Sequence, residues 1–224
     1  MFTFPFSFLS TQETGLDLLD NVYSMSFDPA SNQYIQAGNI SSLNNASAFS
    51  FSFWFKPNVL NVNHRIMSKY LNSNKRTTVG LFSTNFTINI SQNGLQTGSV
   101  TYPTESPIPW KHIAVVFDGT KTGNANRVKC WFNAVPQTID FGTSTIPSAT
   151  ANTGTKSFNI GALDTGSSIL NPVNGSLDEV AIFNYAIESS DVENIYNATN
   201  DNTGKTADLS SMATPPVAWY RMGD

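Results

Sequence analysis

Trp110-Lys111-His112-Ile113-Ala114-Val115-Val116-Phe117-Asp118-Gly119 reads as a strand with apolar residues on both faces, running into an Asp-Gly turn. Asn174-Gly175-Ser176-Leu177-Asp178-Glu179-Val180-Ala181-Ile182-Phe183 has the converse form, a Gly-bearing turn that leads into a strand. Outward from these, Phe49-Ser50-Phe51-Ser52-Phe53-Trp54-Phe55 alternates with period two, placing four Phe on one face and Ser50, Ser52 and Trp54 on the other. Further strand patterns fall at Tyr23–Asp28, Gln33–Gly38, Arg65–Tyr70, Thr77–Ser83, Phe86–Ser91, Arg127–Phe132, Ser157–Gly161 and Val217–Met222. Many short strands at close spacing, punctuated by Asn, Gly and Pro turns, predict an all-β sandwich. One short helix is expected near 188–197, with Val192, Ile195 and Tyr196 on one face and Ser189 or Ser190 as its cap. The polar stretch from Asn197 to Ser211 reads as a surface loop.

Of the 224 residues, 40% are hydrophobic but only 12% are charged, below the usual share for a globular domain. Asn, Ser, Thr and Gly supply the remaining polarity, and they favour turns over helix interiors. The formal charge of −4 argues against nucleic acid as a partner, because phosphate recognition needs a basic patch. His64, Arg65, Lys69, Lys75 and Arg76 form the only loose basic cluster. No apolar run reaches the length of a membrane span, so no membrane insertion is expected.

The single cysteine, Cys130, sits in a strand pattern where a buried, inert thiol is expected. With no internal disulfide possible, synthesis in a reducing cytoplasm is favoured over a eukaryotic secretory route. The segment Met1-Phe2-Thr3-Phe4-Pro5-Phe6-Ser7-Phe8-Leu9 lacks a basic n-region and is interrupted by Pro5, unlike a signal peptide. Phe2, Phe4, Phe6, Phe8 and Leu9 would be costly to leave in water. They are expected to form an apolar arm, residues 1–21, that packs on a neighbouring protein or on its own domain, residues 22–224.

A series of segments in order carries a family resemblance. Ser26-Phe27-Asp28 with Tyr34-Ile35 comes first, then Phe51-Ser52-Phe53-Trp54-Phe55-Lys56-Pro57 and Ile66-Met67-Ser68-Lys69. Trp110-Lys111-His112-Ile113-Ala114, Val128-Lys129-Cys130-Trp131-Phe132-Asn133, Phe158-Asn159-Ile160-Gly161 and Gly175-Ser176-Leu177-Asp178-Glu179-Val180 follow. From about residue 22 to 222 the chain resembles the laminin-G-like, concanavalin A-like lectin-glucanase superfamily, in the branch common in bacteria, phages and marine viruses. The resemblance implies a jelly roll of two packed antiparallel sheets. It also implies a structural calcium at one rim, with Asp28 and Asp178 as the matching positions.

Catalysis is not expected. Glycoside hydrolysis needs two carboxylates flanking one bond, and no Glu-x-Asp-x-x-Glu run exists. His112 lies in an apolar strand and His64 near a strand start, neither with an evident partner. Among aromatics, Tyr70, Tyr102 and Tyr185 lie at strand ends or in loops and are the candidates for contact with a ligand, whereas Trp54, Trp110 and Trp131 read as core.

Two functions fit these expectations. The first is a non-enzymatic virion structural protein at the virion surface, decorating a capsid or tail. It would assemble by lattice or homo-oligomer contacts through the arm and would also touch cell-surface glycans. The alternative is an extracellular carbohydrate-binding module of an adhesin or glycan-processing protein.

Overall fold

The computed structural model describes residues 15–199 and 204–223. In chain order the first elements are β1 (Leu18–Asp20), β2 (Met25–Phe27), β3 (Ile35–Gln36), β4 (Ala48–Pro57), β5 (Asn63–Asn72) and β6 (Lys75–Phe82). Next come β7 (Asn85–Ser91), β8 (Thr97–Thr101), β9 (Lys111–Asp118), a one-turn helix α1 (Asn124–Arg127), β10 (Val128–Phe132) and β11 (Val135–Gln137). The chain continues through β12 (Phe158–Ile160), β13 (Leu163–Asp164), β14 (Ile169–Leu170), β15 (Gly175–Phe183), α2 (Ser189–Thr199), β16 (Lys205–Ala207) and β17 (Ala218–Tyr220).

The strands form the expected sandwich. One sheet runs β11-β10-β9-β4-β15-β17, with β2 also paired to β15; the other runs β3-β12-β5-β6-β7-β8. The ladders in both are antiparallel. The two stretches with apolar residues on both faces are β9 and β15, which flank β4 at the middle of the larger sheet. Phe49, Phe51, Phe53 and Phe55 of β4 all point into the sandwich and are fully buried. Each such ring contributes roughly 1.5–3 kcal/mol on burial. Ile66, Met67, Val79, Leu81, Ile88 and Phe158 meet them from the smaller sheet, with the Phe51 and Phe158 rings 5.7 Å apart.

The second apolar face of β9 and β15 is explained by α2. Val192 and Ile195 of the helix pack on Ala114, Val116, Trp131, Ala181 and Phe183 on the outer face of the larger sheet. Ser50 and Ser52, on the face of β4 opposite the four Phe, are therefore buried. Ser50 Oγ donates to the Tyr185 carbonyl at 2.8 Å and accepts from the Ile187 N–H at 3.0 Å, fixing the chain that enters the helix. At the helix start the Asp191 carboxylate reaches back to accept from the Glu188 N–H at 3.0 Å, as the third helical residue does in a capping box.

Within 197–211 the described residues are not all loop. Lys205–Ala207 is β16, Leu209–Ser211 is a 3-10 turn, and Ala207 and Leu209 are buried beside α2. Strand β16 pairs with β1 through Leu18↔Ala207, so residues 18–20, assigned to the arm, are laddered to the C-terminal part of the domain. The Asp20 carboxylate meets Lys205 Nζ at 2.5 Å, and Arg221 donates to the Asp20 carbonyl. Phe2, Phe4, Phe6, Phe8 and Leu9 lie outside the described residues.

Candidate functional site

The two outer faces of the sandwich differ. On the larger sheet α2 covers the strands; on the smaller sheet the register gathers polar side chains. Asn159 stands opposite Ser68, Ser68 opposite Thr78, Thr78 opposite Asn89, and Asn89 opposite Thr97. On one side of this row lie Tyr70, Arg76 and Ser91; on the other lie Arg65, Gly80, Thr87 and Ser99. Because side chains alternate along a strand, these rows share the face opposite the Val79–Ile88 core pair.

The floor of this face is polar yet enclosed. Arg65 is 6% exposed, Ser68 and Thr78 0%, and Asn89 5%. Thr78 Oγ1 accepts from Arg65 Nη1 at 2.7 Å and from Asn89 Nδ2 at 3.1 Å. The Arg65 guanidinium lies over the Phe82 ring, 4.6 Å from its centroid. Gly80 leaves room for both neighbours, since a Cβ there would fall 2.9 Å from the Phe82 ring and 3.3 Å from Arg65 Cα. Burial lowers the Arg65 pKa to about 10, and the charge of Arg76 adds to the shift. Arg76, half-buried, is also lowered by burial. Neither arginine has a carboxylate partner among the described residues. The Nε atoms of both and Asn159 Oδ1 are buried without a hydrogen-bond partner there.

The hairpin of β13 and β14 walls one end. Ser68 Oγ donates to the Ala162 carbonyl at 2.8 Å, which draws the hairpin base over β5. An open depression between this wall and the sheet is lined by Tyr70, Gln36, Asn159, Lys156 and Asp164. Tyr70, opposite Arg76, therefore joins the depression to the arginine rows.

The other expected site residues lie elsewhere. Tyr102 is a core residue, 1% exposed, with its ring 5.5 Å from that of Phe132, because its N–H donates to the Thr84 carbonyl at 2.7 Å and so extends β8 by one residue on the inward face of Val100. Tyr185 is half-buried on the opposite side of the sandwich, its hydroxyl donating to the Thr214 carbonyl at 2.7 Å. Asp28 caps its own turn, accepting from the Ala30 N–H and the Ser31 hydroxyl, both at 2.9 Å. Asp178 is not at a turn but inside β15, 7% exposed, accepting from the Glu179 N–H. Since Phe27 pairs with Gly175, Asp28 lies opposite residue 174, four positions from Asp178 or about 13 Å of strand. The register therefore does not bring the two carboxylates to one cation. Among the described residues no group of three or more His, Cys, Asp or Glu gathers to hold a metal.

Ser52 Oγ and His112 Nε2 are 2.8 Å apart, a nucleophile-to-base spacing, but the pair is sealed beneath α2 and burial lowers the His112 pKa to about 3. The basic cluster noted in the sequence is dispersed by the fold. His64 faces inward against Phe55, and Lys69 reaches inward to Asn39 Oδ1 at 2.7 Å, leaving Arg65 and Arg76 on the polar face.

Residues 29–193, well over half of the chain, match a laminin G family of the concanavalin A-like lectin/glucanases superfamily. The chain belongs to that superfamily. A provisionally assigned carbohydrate binding protein from Bacteroides ovatus superposes with a TM-score of 0.67 at 13% identity, over 92% of this chain and 53% of that one. The NanB sialidase of Streptococcus pneumoniae gives 0.57 at 17%, over 80% and 28%. The CBM40 of the Ruminococcus gnavus IT-sialidase, also solved bound to alpha2,3 sialyllactose, gives 0.54 at 10%, over 80% and 97%. The chain thus spans about half of the first of these proteins and about a quarter of the second. At these identities the likeness is one of fold. No curated protein matches by sequence.

Proposed function

We propose that the protein is a non-catalytic carbohydrate-binding module that holds its ligand on the outer face of the β3-β12-β5-β6-β7-β8 sheet. The observation that carries the reading is the buried polar row Asn159–Ser68–Thr78–Asn89 between the rings of Tyr70 and Phe82. A sheet face that merely meets solvent carries polar side chains exposed to water. Here amide and hydroxyl groups form an enclosed floor with aromatic rings at its margins, the arrangement that positions sugar hydroxyls. Membership of a superfamily named for lectins, and a fold shared with sugar-binding proteins, support the reading.

Nothing in the described geometry supports hydrolysis. The adjacent Asp178 and Glu179 are both enclosed within the larger sheet, Glu179 against Trp219, and do not flank a cleft. The arm proposed for a virion role, residues 2–9, lies outside the described structure, and the comparisons lend that role no support.

A glycan array probed with the full chain tests the proposal, followed by calorimetric titration of the best ligand. Binding in the micromolar to millimolar range is expected. Asn89→Ala is expected to weaken it and Lys129→Ala, on the α2 side, to leave it unchanged. Failure to bind any glycan rejects the proposal.

A further inference from the structure

We infer that the ligand of this face is an acidic saccharide, whose carboxylate or sulfate oxygens are received by Arg65 and Arg76 beside the Thr78 row; this rests on the carbohydrate-binding reading above. Enclosing a guanidinium is unfavourable unless it is paired and its donors are used. Arg65 is enclosed, spends Nη1 on a neutral hydroxyl and its face on Phe82, and leaves Nε unpartnered among the described residues. Arg76 likewise has a buried Nε with no hydrogen-bond partner among the described residues. The two flank Thr78 along β6, Arg65 from the Gly80 side and Arg76 two residues before Thr78.

Proteins ordinarily neutralise such a pair with Asp or Glu. Asp164, the acidic side chain that lines the depression, takes a hydrogen bond from Tyr34 at 3.4 Å and from the Gly166 N–H at 2.6 Å, on the hairpin wall. The face is thus basic in a chain whose formal charge is −4. A guanidinium presents planar, divergent N–H donors that match a carboxylate or sulfate, and charge-assisted bonds are the strong ones. Neutral sugar hydroxyls would leave both cations uncompensated, whereas an oxyanion supplies the missing charge.

The test compares lactose, 3′-sialyllactose, lactose 3′-sulfate and an oligogalacturonate, within an array that also carries neutral glycans. Sialyl and uronic arms report a carboxylate, and the sulfated arm a sulfate ester. Binding confined to one or more acidic arms, weakening as NaCl is raised, is expected. Arg76→Gln should weaken it roughly tenfold, with partial recovery in Arg76→Lys. Among the described residues Arg76 has no carboxylate partner to lose, so the fold of these variants is expected to persist, checked by thermal melting. Arg65→Lys serves as a second, volume-sparing variant. Equal affinity for neutral and acidic arms, or acidic binding indifferent to Arg76→Gln, overturns this inference while leaving the carbohydrate reading in place. Absence of binding to every glycan overturns both.

Discussion

The indole Nε1–H of Trp219 donates to the Glu179 carboxylate at 2.7 Å, tying β17 to the bulge of β15. Glu179 adopts φ 50, a left-handed conformation uncommon outside glycine, and its side chain is enclosed within the larger sheet. Arg221 approaches the same carboxylate at 3.5 Å. Burial, with the neighbouring Asp178 charge adding to it, outweighs these partners and raises the Glu179 pKa to about 7.

That shift sets a pH dependence. Unfolded Glu179 ionises near 4.5, whereas folded Glu179 keeps its proton up to about 7. Between those values the native state binds more protons, so stability falls as pH rises through the window. Above pH 7 the penalty reaches about 3 kcal/mol. Gln also accepts from the indole but does not ionise. The stability of Glu179→Gln relative to wild type should therefore rise by about 1–3 kcal/mol between pH 5 and 8, read from urea midpoints. His112, lowered by burial, adds an opposite slope below its ordinary 6.5, common to both proteins and so absent from the difference. A difference that does not change with pH would refute the assignment.

Tyr102 and Tyr70 separate core from site. The Tyr102 hydroxyl is buried without a hydrogen-bond partner among the described residues, so Tyr102→Phe removes an unsatisfied polar group. Stability is expected to hold or rise by about 1 kcal/mol, with glycan affinity unchanged. Tyr70→Ala, on the polar face, should weaken glycan binding with little change in melting temperature. The reverse pattern in calorimetry would move the site to the Tyr102 end.

Gly161 sits at φ +94, and a Cβ there would fall 2.6 Å from the Phe27 ring. Its N–H donates to the Ile66 carbonyl at 2.8 Å and its carbonyl accepts from the Val173 N–H at 2.7 Å, anchoring the β13–β14 wall. Gly161→Ala should cost about 1–2 kcal/mol for backbone conformation alone, with more for displacing the ring. An unchanged denaturation midpoint would show that this contact is not a constraint.

Since Asp28 and Asp178 are four register positions apart, chelation is expected to leave the melting temperature unchanged. A drop with EDTA that vanishes in Asp178→Asn would show instead that Asp178 holds a cation.

The core was legible because Phe49 to Phe55 alternates without interruption and only one face of β4 can bury four rings. The place of Asp178 inside β15 was less legible because Gly175 and Ser176 resemble a turn, whereas Gly175, at φ +155 with a Cβ position 2.4 Å from the Lys56 carbonyl, is a strand residue pressed against β4. The helix was legible from its spacing, but its burial of Ser50 and Ser52 was not, since that depends on contacts across more than a hundred residues. The basic cluster was visible in the sequence. Its division was hidden by the irregularity between Arg65 and Met67 in β5, which shifts the strand's phase so that Arg65 and Tyr70 share a face and Lys69 does not.

Cys130 is the chain's one cysteine, 1% exposed, and burial raises its thiol pKa. A maleimide added to the native protein thus meets only an un-ionised, enclosed sulfur. Asn85, exposed and paired with both Phe82 and Thr101 at the rim of the polar face, can then be exchanged for a uniquely reactive thiol. A fluorophore attached through Asn85→Cys would report ligand arrival optically while leaving both arginines untouched.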